Sequence, residues 1–214
     1  MTIVAEPVSF PSGDLTLVGA LHRPQGLGLP GVAVCHPHPL FGGDMENNVV
    51  VALCRALAGG GMVALRFNFR GVGESGGSYG GGFEEAQDAR AALNLLAGLS
   101  EVDGDRLGLA GYSFGALVAL SAAEERVHAL AAVSPPVGGL DLTSFRWGIP
   151  TLLVSGDRDD VSPPLRLPEI AASLGPRCEI RSVAGADHFW GGYEETLATA
   201  VLEFLRAQLM APEL

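Results

Sequence analysis

Residues 107–115 have the sequence LGLAGYSFG, in which a short apolar run leads directly into a serine flanked by two glycines. Residues 107–110 predict a buried strand, and residues 114–124 predict a helix. The GYSFG segment therefore forms a sharp turn between a strand and a helix, which is the context that a G-x-S-x-G motif requires. Such a turn lifts the Ser113 hydroxyl clear of the sheet and places the Phe114 N–H at the helix N-terminus, where partial positive charge favours an oxyanion.

The segments on either side of this turn alternate between short apolar runs and longer helical runs. Further strands are predicted at residues 31–35, 62–67, 130–133, 151–154 and 179–183, and further helices at 47–58, 83–96, 165–174 and 193–209. Residues 4–10 and 15–23 predict an antiparallel pair joined by a Pro-Ser-Gly-Asp turn. This pattern predicts one α/β domain over residues 1–214, with a mostly parallel sheet, helices on both faces and an antiparallel N-terminal pair.

Composition and charge limit the classes of function. The chain has 214 residues, 48% of them apolar, with 13 basic against 24 acidic residues and a net charge of −11. This composition can bury a core, and it argues against a disordered chain. The acidic excess argues against nucleic-acid binding and against anionic membrane surfaces. No signal-peptide pattern and no apolar run of transmembrane length is present, so we expect a cytoplasmic protein.

A nucleophilic serine needs a base that is itself oriented by a carboxylate, and in this architecture the chain order is serine, acid, histidine. Of the five histidines, His188 alone follows both the serine and a late strand. It lies in the segment GADHFW, residues 185–190, between the predicted strand 179–183 and the closing helix. The acid belongs to SGDRDD, residues 155–160, which offers Asp157, Asp159 and Asp160 at the carboxyl edge of the sheet.

A second oxyanion donor is expected from the loop HPHPLFGG, residues 36–43. The two prolines have no N–H, which leaves His38 and Leu40, with Leu40 slightly preferred because it opens the turn into the glycine pair. His36 and His38 also invite a metal site. The prolines hold the loop stiffly and no ligand set closes around these histidines, so we expect neither a metal nor a cofactor.

The segments HPHPLFGG (36–43), RFNFRGVGESG (66–76) and GYSFG (111–115) resemble the α/β-hydrolase superfamily. The resemblance covers nearly the whole chain. It is strongest to a bacterial branch of small, lidless hydrolases that is loosely related to dienelactone hydrolases. It implies Asp159 as the acid, because the family's acid lies three residues after a strand-terminal glycine, here Gly156, with a proline about four residues beyond. Dienelactone hydrolase itself uses a cysteine, so Ser113 argues against that activity.

Residues 70–75 resemble the superfamily's common R-G-x-G-x-S turn, which is usually structural. We therefore expect a turn-forming role for Arg70, Glu74 and Ser75. Only residues 134–150 separate two predicted strands at the place where many relatives insert a lid, which is too short for a cap domain. The pocket is thus predicted to be open, with candidate lining residues Leu40, Phe41, Phe114, Val137, Phe189 and Trp190.

These features predict a serine hydrolase that acts on small acyl esters or thioesters through an acyl-enzyme intermediate. Two alternatives stay open from the sequence. One is a peptidase or amidase that uses the same three residues, and the other is a binding protein that kept the fold and lost the chemistry. The expected partner is a small-molecule substrate. A mean hydropathy of +0.30 makes a homodimer plausible.

Overall fold

The computed structural model describes residues 4–136, 138 and 148–210. Eight strands form one sheet in the order β1-β2-β4-β3-β5-β6-β7-β8. The strands are β1 Ala5–Ser12, β2 Leu15–His22, β3 Leu29–Cys35, β4 Val63–Phe67, β5 Val102–Tyr112, β6 Val127–Val133, β7 Thr151–Gly156 and β8 Cys178–Val183. The helices are α1 Asn48–Gly59, α2 Phe83–Ala97, α3 Phe114–Ala122, α4 Leu167–Leu174 and α5 Glu194–Leu209.

Strand direction confirms the predicted architecture. β1 pairs antiparallel with β2, and β2 pairs antiparallel with β4. The remaining neighbours, from β4 through β3, β5, β6 and β7 to β8, are parallel. β5 lies between β3 and β6, so the loops that follow β3, β5, β6 and β7 open at the same edge of the sheet.

Two apolar layers cover the sheet because successive residues of a buried strand point to opposite faces. In β3, Val32 and Val34 pack with α1 and α5, whereas Ala33 and Cys35 pack with α2, α3 and α4. Both layers are closed to solvent, and the central strands are apolar on both faces as parallel strands require. This rigid sandwich holds the loops at the carboxyl edge in fixed positions.

The predicted elements are all present in the described residues, with differences at their ends. β5 begins at Val102 rather than at residue 107, since its polar first half still pairs with Leu29 of β3. α4 begins at Leu167 because Pro164–Arg166 forms a separate 3-10 turn. Only residues 134–150 lie between β6 and β7. No helix in the described part of the chain is long and apolar enough to cross a membrane.

Two histidines, one at the end of β2 and one that follows β3, are buried as neutral groups. On β2, His22 accepts a hydrogen bond from Arg66 Nε at 3.1 Å, and burial together with the Arg66 charge lowers the pKa of His22 to about 4. At the end of β3, His36 Nε2 accepts from the Phe69 N–H at 3.1 Å, and His36 Nδ1 donates to the Pro37 carbonyl at 2.7 Å. Burial lowers the pKa of His36 to about 4 as well.

Acid is expected to weaken the fold through these two groups. The pKa values of His22 and His36 in the folded protein lie below the unfolded value of 6.5, so between these values the unfolded chain binds more protons than the folded chain. The free energy of unfolding falls as the pH drops from 6.5 to 4, by about 3 kcal/mol for each histidine at the lower limit, given about 1.4 kcal/mol per pKa unit. Urea unfolding across this range measures the slope.

His22→Gln, which keeps an acceptor for Arg66, is expected to remove roughly half of that slope. His128→Gln is the matched control, because His128 is exposed and has no contact with either buried histidine. A slope that is the same in all three proteins would contradict the role of buried neutral histidines.

Candidate active site

Ser113 occupies a strained turn at the end of β5. Its backbone has φ 55° and ψ −121°, a region that residues with a side chain rarely adopt. The Ser113 N–H donates to the Val133 carbonyl of β6 at 2.9 Å, which holds the turn against the neighbouring strand. A Cβ at Gly115 would overlap the Cys35 and His36 carbonyls, and a Cβ at Gly111 would overlap Gly115. The glycines are therefore required for α3 to start this close to β3.

Serine, histidine and aspartate meet at this edge. Ser113 Oγ lies 3.0 Å from His188 Nε2, and His188 Nδ1 lies 3.0 Å from both oxygens of Asp159. The Asp159 side chain is fully buried, while the His188 side chain is 12% exposed. The Tyr112 hydroxyl donates to the His188 carbonyl at 2.6 Å and fixes the backbone of the histidine loop. This geometry requires a proton on Nδ1, directed to Asp159, and a free Nε2 lone pair facing the serine.

The Asp159 carboxylate is surrounded by hydrogen-bond donors. It accepts the N–H of Val161 at 3.0 Å and the N–H of Ser162 at 2.7 Å. Burial alone would raise the pKa of Asp159, but hydrogen bonds from His188, from Ser162 and from the Ser134 hydroxyl outweigh it and keep the pKa below its usual value. The carboxyl group is therefore charged at neutral pH.

The neighbouring aspartates have other contacts. Asp157 accepts the Gly185 N–H at 2.7 Å and so ties the acid loop to the histidine loop. Asp160 is exposed. Of the three aspartates that the sequence offers, the structure brings Asp159 to His188.

In the loop after β3, the structure favours a different oxyanion donor from the one that the sequence analysis prefers. The Leu40 N–H donates to His38 Nδ1 at 3.2 Å, which caps the turn Pro39–Phe41, so this N–H already has a partner. The His38 ring packs against the rings of Phe114 and Tyr79, with centroids 4.7 and 5.1 Å away, and its Nε2 lies 3.3 Å from the Tyr79 hydroxyl. Burial lowers the pKa of His38, which favours the neutral ring. His38 is therefore the better candidate for the backbone donor, and the preference for Leu40 is not supported.

Comparison with known proteins identifies the family of the chain. Residues 16–159 match the family model described as X-Pro dipeptidyl-peptidase (S15 family). The chain belongs to this family, within the α/β-hydrolase superfamily. An uncharacterised protein of Rickettsia prowazekii is 32% identical over 187 residues, which are 82% of this chain and 78% of the relative.

Two solved structures are also similar over nearly the full chain. An α/β serine hydrolase homologue from Coxiella burnetii has a TM-score of 0.82 at 35% identity and covers 95% of this chain and 97% of its own. A Xanthomonas campestris protein, a member of the α/β serine hydrolases without a lid, has a TM-score of 0.86 at 30% identity and covers 98% of this chain and 97% of its own. The chain is thus a serine hydrolase of the α/β fold.

The mouth of this α/β serine hydrolase carries exposed aromatic side chains. Phe41 is 87% exposed with its ring against His38, and Phe189 is 72% exposed with its ring against His188. Leu40 is also exposed, at 67%. An open cleft of about 420 Å³ lies beside this mouth, between the loops that contain Leu40 and Tyr79, and Ser113 is not among its lining residues. Val137, a predicted lining residue, lies outside the described residues.

Trp190 is not at the mouth, and its predicted place in the substrate pocket is wrong. Its side chain is completely buried with the α1 and α5 layer, and its Nε1 donates to Ser134 Oγ at 3.0 Å. Trp190 has φ 62°, and with this left-handed backbone its indole is directed to Ser134 and the core. Adjacent aromatic residues therefore face opposite ways, Phe189 to solvent and Trp190 to the core.

Three residues at the hydrolase site were missed by the sequence reasoning. The Tyr112 hydroxyl donates to the His188 carbonyl, and Ser134 Oγ accepts the Trp190 indole N–H. Asn48 donates to the Phe189 carbonyl at 3.3 Å and to Glu194 at 2.8 Å. The sequence shows that Tyr112 lies inside the GYSFG motif, but it does not show where the Tyr112 side chain points. Ser134 and Asn48 belong to no recognisable sequence motif. Among the described residues, no group of three or more His, Cys, Asp or Glu side chains is placed to hold a metal ion.

Gly115 offers a direct test of the turn that carries the serine. Gly115→Ala is expected to destabilise the hydrolase by about 3 kcal/mol and to remove its activity, because the new Cβ meets backbone carbonyls that cannot move away easily. Gly59→Ala is the matched control, since a Cβ at Gly59 near the end of α1 meets nothing within 4 Å. It is expected to be neutral or slightly stabilising. Thermal unfolding of both variants measures the difference, and equal stability would contradict the close approach.

Proposed function

We propose that the protein is a serine esterase for small, uncharged, apolar acyl esters. The observation that carries the proposal is the continuous chain of hydrogen bonds from Ser113 through His188 to Asp159, exposed at an open mouth lined by aromatic rings. A hydroxyl so placed has its base within reach, and the base has its orienting carboxylate.

Acylation begins when Ser113 Oγ attacks the ester carbonyl carbon while His188 Nε2 takes the hydroxyl proton. The imidazole then carries two protons, and its positive charge is balanced by the buried Asp159 carboxylate. Collapse of the tetrahedral intermediate breaks the bond to the alcohol oxygen, which receives the proton from Nε2. The acyl group remains on the serine. Deacylation repeats these steps with water as the nucleophile, and it releases the acid and free Ser113.

The oxyanion is stabilised by two backbone donors in this proposal. Phe114 is the first residue of α3, so its N–H has no partner within the helix and lies at the positive end of the helix dipole. The second donor is the His38 N–H, because the Leu40 N–H is engaged by the His38 ring. Each donor contributes about 3 kcal/mol to the transition state.

The charge around the mouth favours neutral substrates. The two loops that carry Asp159 and His188 expose Asp157, Asp160 and Asp187 against a single basic residue, Arg158. On the other side, Arg70 is paired with Asp88 at 2.8 Å and also with Glu84, so its charge is compensated. An acyl carrier with several phosphate groups would be repelled, which argues for simple esters over coenzyme A thioesters.

A peptidase is the second candidate, because the matching family model is that of X-Pro dipeptidyl-peptidases. The same three residues can cleave an amide if His188 protonates the departing nitrogen. An exopeptidase also binds the free amino terminus of its substrate, and exposed carboxylates near the mouth suit a cation. The open mouth favours the ester, which has the better leaving group.

A panel of three substrates tests the proposal: p-nitrophenyl butyrate, butyryl-coenzyme A and Ala-Pro-p-nitroanilide. We expect the neutral ester to have the highest kcat/KM, at least about tenfold above the coenzyme A thioester at low salt. Ser113→Ala is expected to reduce ester hydrolysis to background, and Ser182→Ala, on the exposed face of β8, to leave it unchanged. A higher kcat/KM for the anilide would establish the peptidase instead, and no turnover of any substrate by the folded protein would contradict both.

The second oxyanion donor can be tested by removing a single N–H. His38 has φ −59°, which matches the angle that proline imposes, so His38→Pro removes the donor without forcing the backbone. His38→Ala is the control, because it removes the same ring and keeps the N–H. We expect kcat of the proline variant to be about 100-fold below that of the alanine variant. Equal kcat values would assign the second donor elsewhere in the loop.

A further inference from the structure

The cleft beside the mouth takes no part in the proposed mechanism. It has a volume of about 420 Å³ and lies between the loop that follows β3, residues 36–43, and a glycine-rich loop, residues 71–82. Its lining residues belong to these two loops, together with Asp44 and Arg70. This volume is within the range of clefts that bind small molecules, so the cleft has room for a part of the substrate.

The charges of the cleft favour an uncharged group. Arg70 is the only cation among its lining residues. Arg70 Nε and Nη2 donate to the buried Asp88 carboxylate at 3.0 and 2.8 Å, and Nη1 pairs with Glu84. Asp44 adds a further carboxylate to the lining. An anionic group in the cleft would therefore meet more negative than positive charge, and a neutral group is favoured.

Tyr79 lines this cleft and is held in place by two rings and by its own loop. Its ring centroid lies 5.1 Å from that of His38 and 5.9 Å from that of Phe114. The buried Glu85 carboxylate, in the first turn of α2, accepts the N–H of the adjacent Gly80 at 2.7 Å. The Tyr79 side chain is therefore positioned before any ligand arrives, and a contact with a bound molecule costs little further ordering.

The hydrogen bonds of His38 decide what the Tyr79 hydroxyl can donate to. The Leu40 N–H donates to His38 Nδ1 at 3.2 Å, so Nδ1 has a lone pair and no proton. The imidazole proton is then on Nε2, which lies 3.3 Å from the Tyr79 hydroxyl oxygen and donates to it. The phenol proton itself has no acceptor in the part of the chain that the structure describes. It is available to a molecule that occupies the cleft.

We propose that Tyr79 is a specificity-determining residue whose hydroxyl donates to an uncharged oxygen of the substrate part that occupies the cleft. The preferred substrate is then an ester with a further oxygen, in an ether, hydroxyl or carbonyl group, besides the ester group itself. The inference rests on the proposed function, because it names which uncharged esters the same site prefers. A carboxylate could also accept the phenol proton, but the negative charges around Arg70 disfavour it.

Two pairs of esters of equal size test this hydrogen bond. In the first pair, 2-methoxyethyl butanoate has an ether oxygen where butyl butanoate has a CH₂ group in the alcohol part. In the second pair, ethyl 3-methoxypropanoate differs from ethyl pentanoate in the same way in the acyl part. The ratio of kcat/KM within each pair is compared between the wild type and Tyr79→Phe, so the intrinsic reactivity of each ester cancels.

Tyr79→Phe keeps the ring and removes only the hydroxyl. We expect the ratio of ether ester to alkyl ester to fall about fivefold in one pair, as for the loss of a hydrogen bond between neutral groups. The pair that responds identifies the part of the substrate that lies in the cleft. Tyr193→Phe is the matched control, because Tyr193 precedes α5 and does not line the cleft, and its ratios are expected to equal those of the wild type.

Binding supplies a readout that needs no turnover. The dissociation constants of the four esters are measured by NMR titration of Ser113→Ala and of the double variant Ser113→Ala with Tyr79→Phe. We expect the affinity of the ether ester relative to its alkyl partner to fall about fivefold in the double variant, in the same pair that responds in the kinetics.

Equal ratios in the wild type and in Tyr79→Phe, in a protein that hydrolyses these esters, would overturn the inference and leave the esterase standing. A fall of the binding ratio, in a wild type that hydrolyses no ester, would support the role of Tyr79 and contradict the esterase. A fall of kcat/KM by the same factor for both members of each pair would overturn the contact with substrate and reduce Tyr79 to a support for His38. A folded protein that neither binds nor hydrolyses any of the four esters would contradict both.

Discussion

The backbone at Ser113 is left-handed because two contacts hold it. The Ser113 N–H is bonded to the end of β6, and α3 begins directly against the carbonyl groups at the end of β3. This close crossing requires Gly111 and Gly115, and it leaves the serine as the first side chain above the sheet. The same crossing places the Phe114 N–H beside the loop that contains His38. The positions of the Ser113 side chain and of the Phe114 N–H thus follow from one packing constraint, and the sheet that imposes it is buried on both faces.

The acid and the base reach this point from loops that are bound to each other. Gly156 has no room for a Cβ because Ala186 of the histidine loop passes against it, and the Arg158 N–H donates to the Ala186 carbonyl at 3.0 Å. Asp157 closes the same contact through Gly185. The bond from Arg158 to Ala186 joins two backbones, and the bond from Gly185 uses the Asp157 side chain, so the two loops are held together at two adjacent points. A site assembled this way needs no lid to align it, which is consistent with an open mouth.

The architecture could be predicted from the sequence because short apolar runs, helical periods and the glycines between them follow one another in a regular order along this chain. Each short apolar run could therefore be assigned to a buried strand. Ser113 and His188 followed from the order of residues around a recognisable turn. Asp159 did not follow from spacing alone, since three aspartates occupy four positions, and only the family resemblance ranked them. The structure separates them by burial: Asp159 points inward and Asp160 outward.

The errors concern the direction of side chains in loops. Trp190 and Phe189 are adjacent and both apolar, and nothing local shows that a positive φ turns one of them into the core. Leu40 was preferred over His38 as oxyanion donor because the residue pattern does not show the local hydrogen bond from the Leu40 N–H to the His38 ring. The direction of the Trp190 side chain is decided by contacts between distant segments, so composition and period do not contain it.

Intact mass after treatment with a fluorophosphonate shows whether Ser113 is an activated nucleophile, as the proposed function requires. The reagent needs a reactive serine and does not need the natural substrate. We expect one adduct on the wild type, none on Ser113→Ala, and much slower labelling of His188→Ala, because the base that takes the hydroxyl proton is then missing. A folded wild-type protein that gains no adduct, or an adduct that persists on Ser113→Ala, would contradict this expectation.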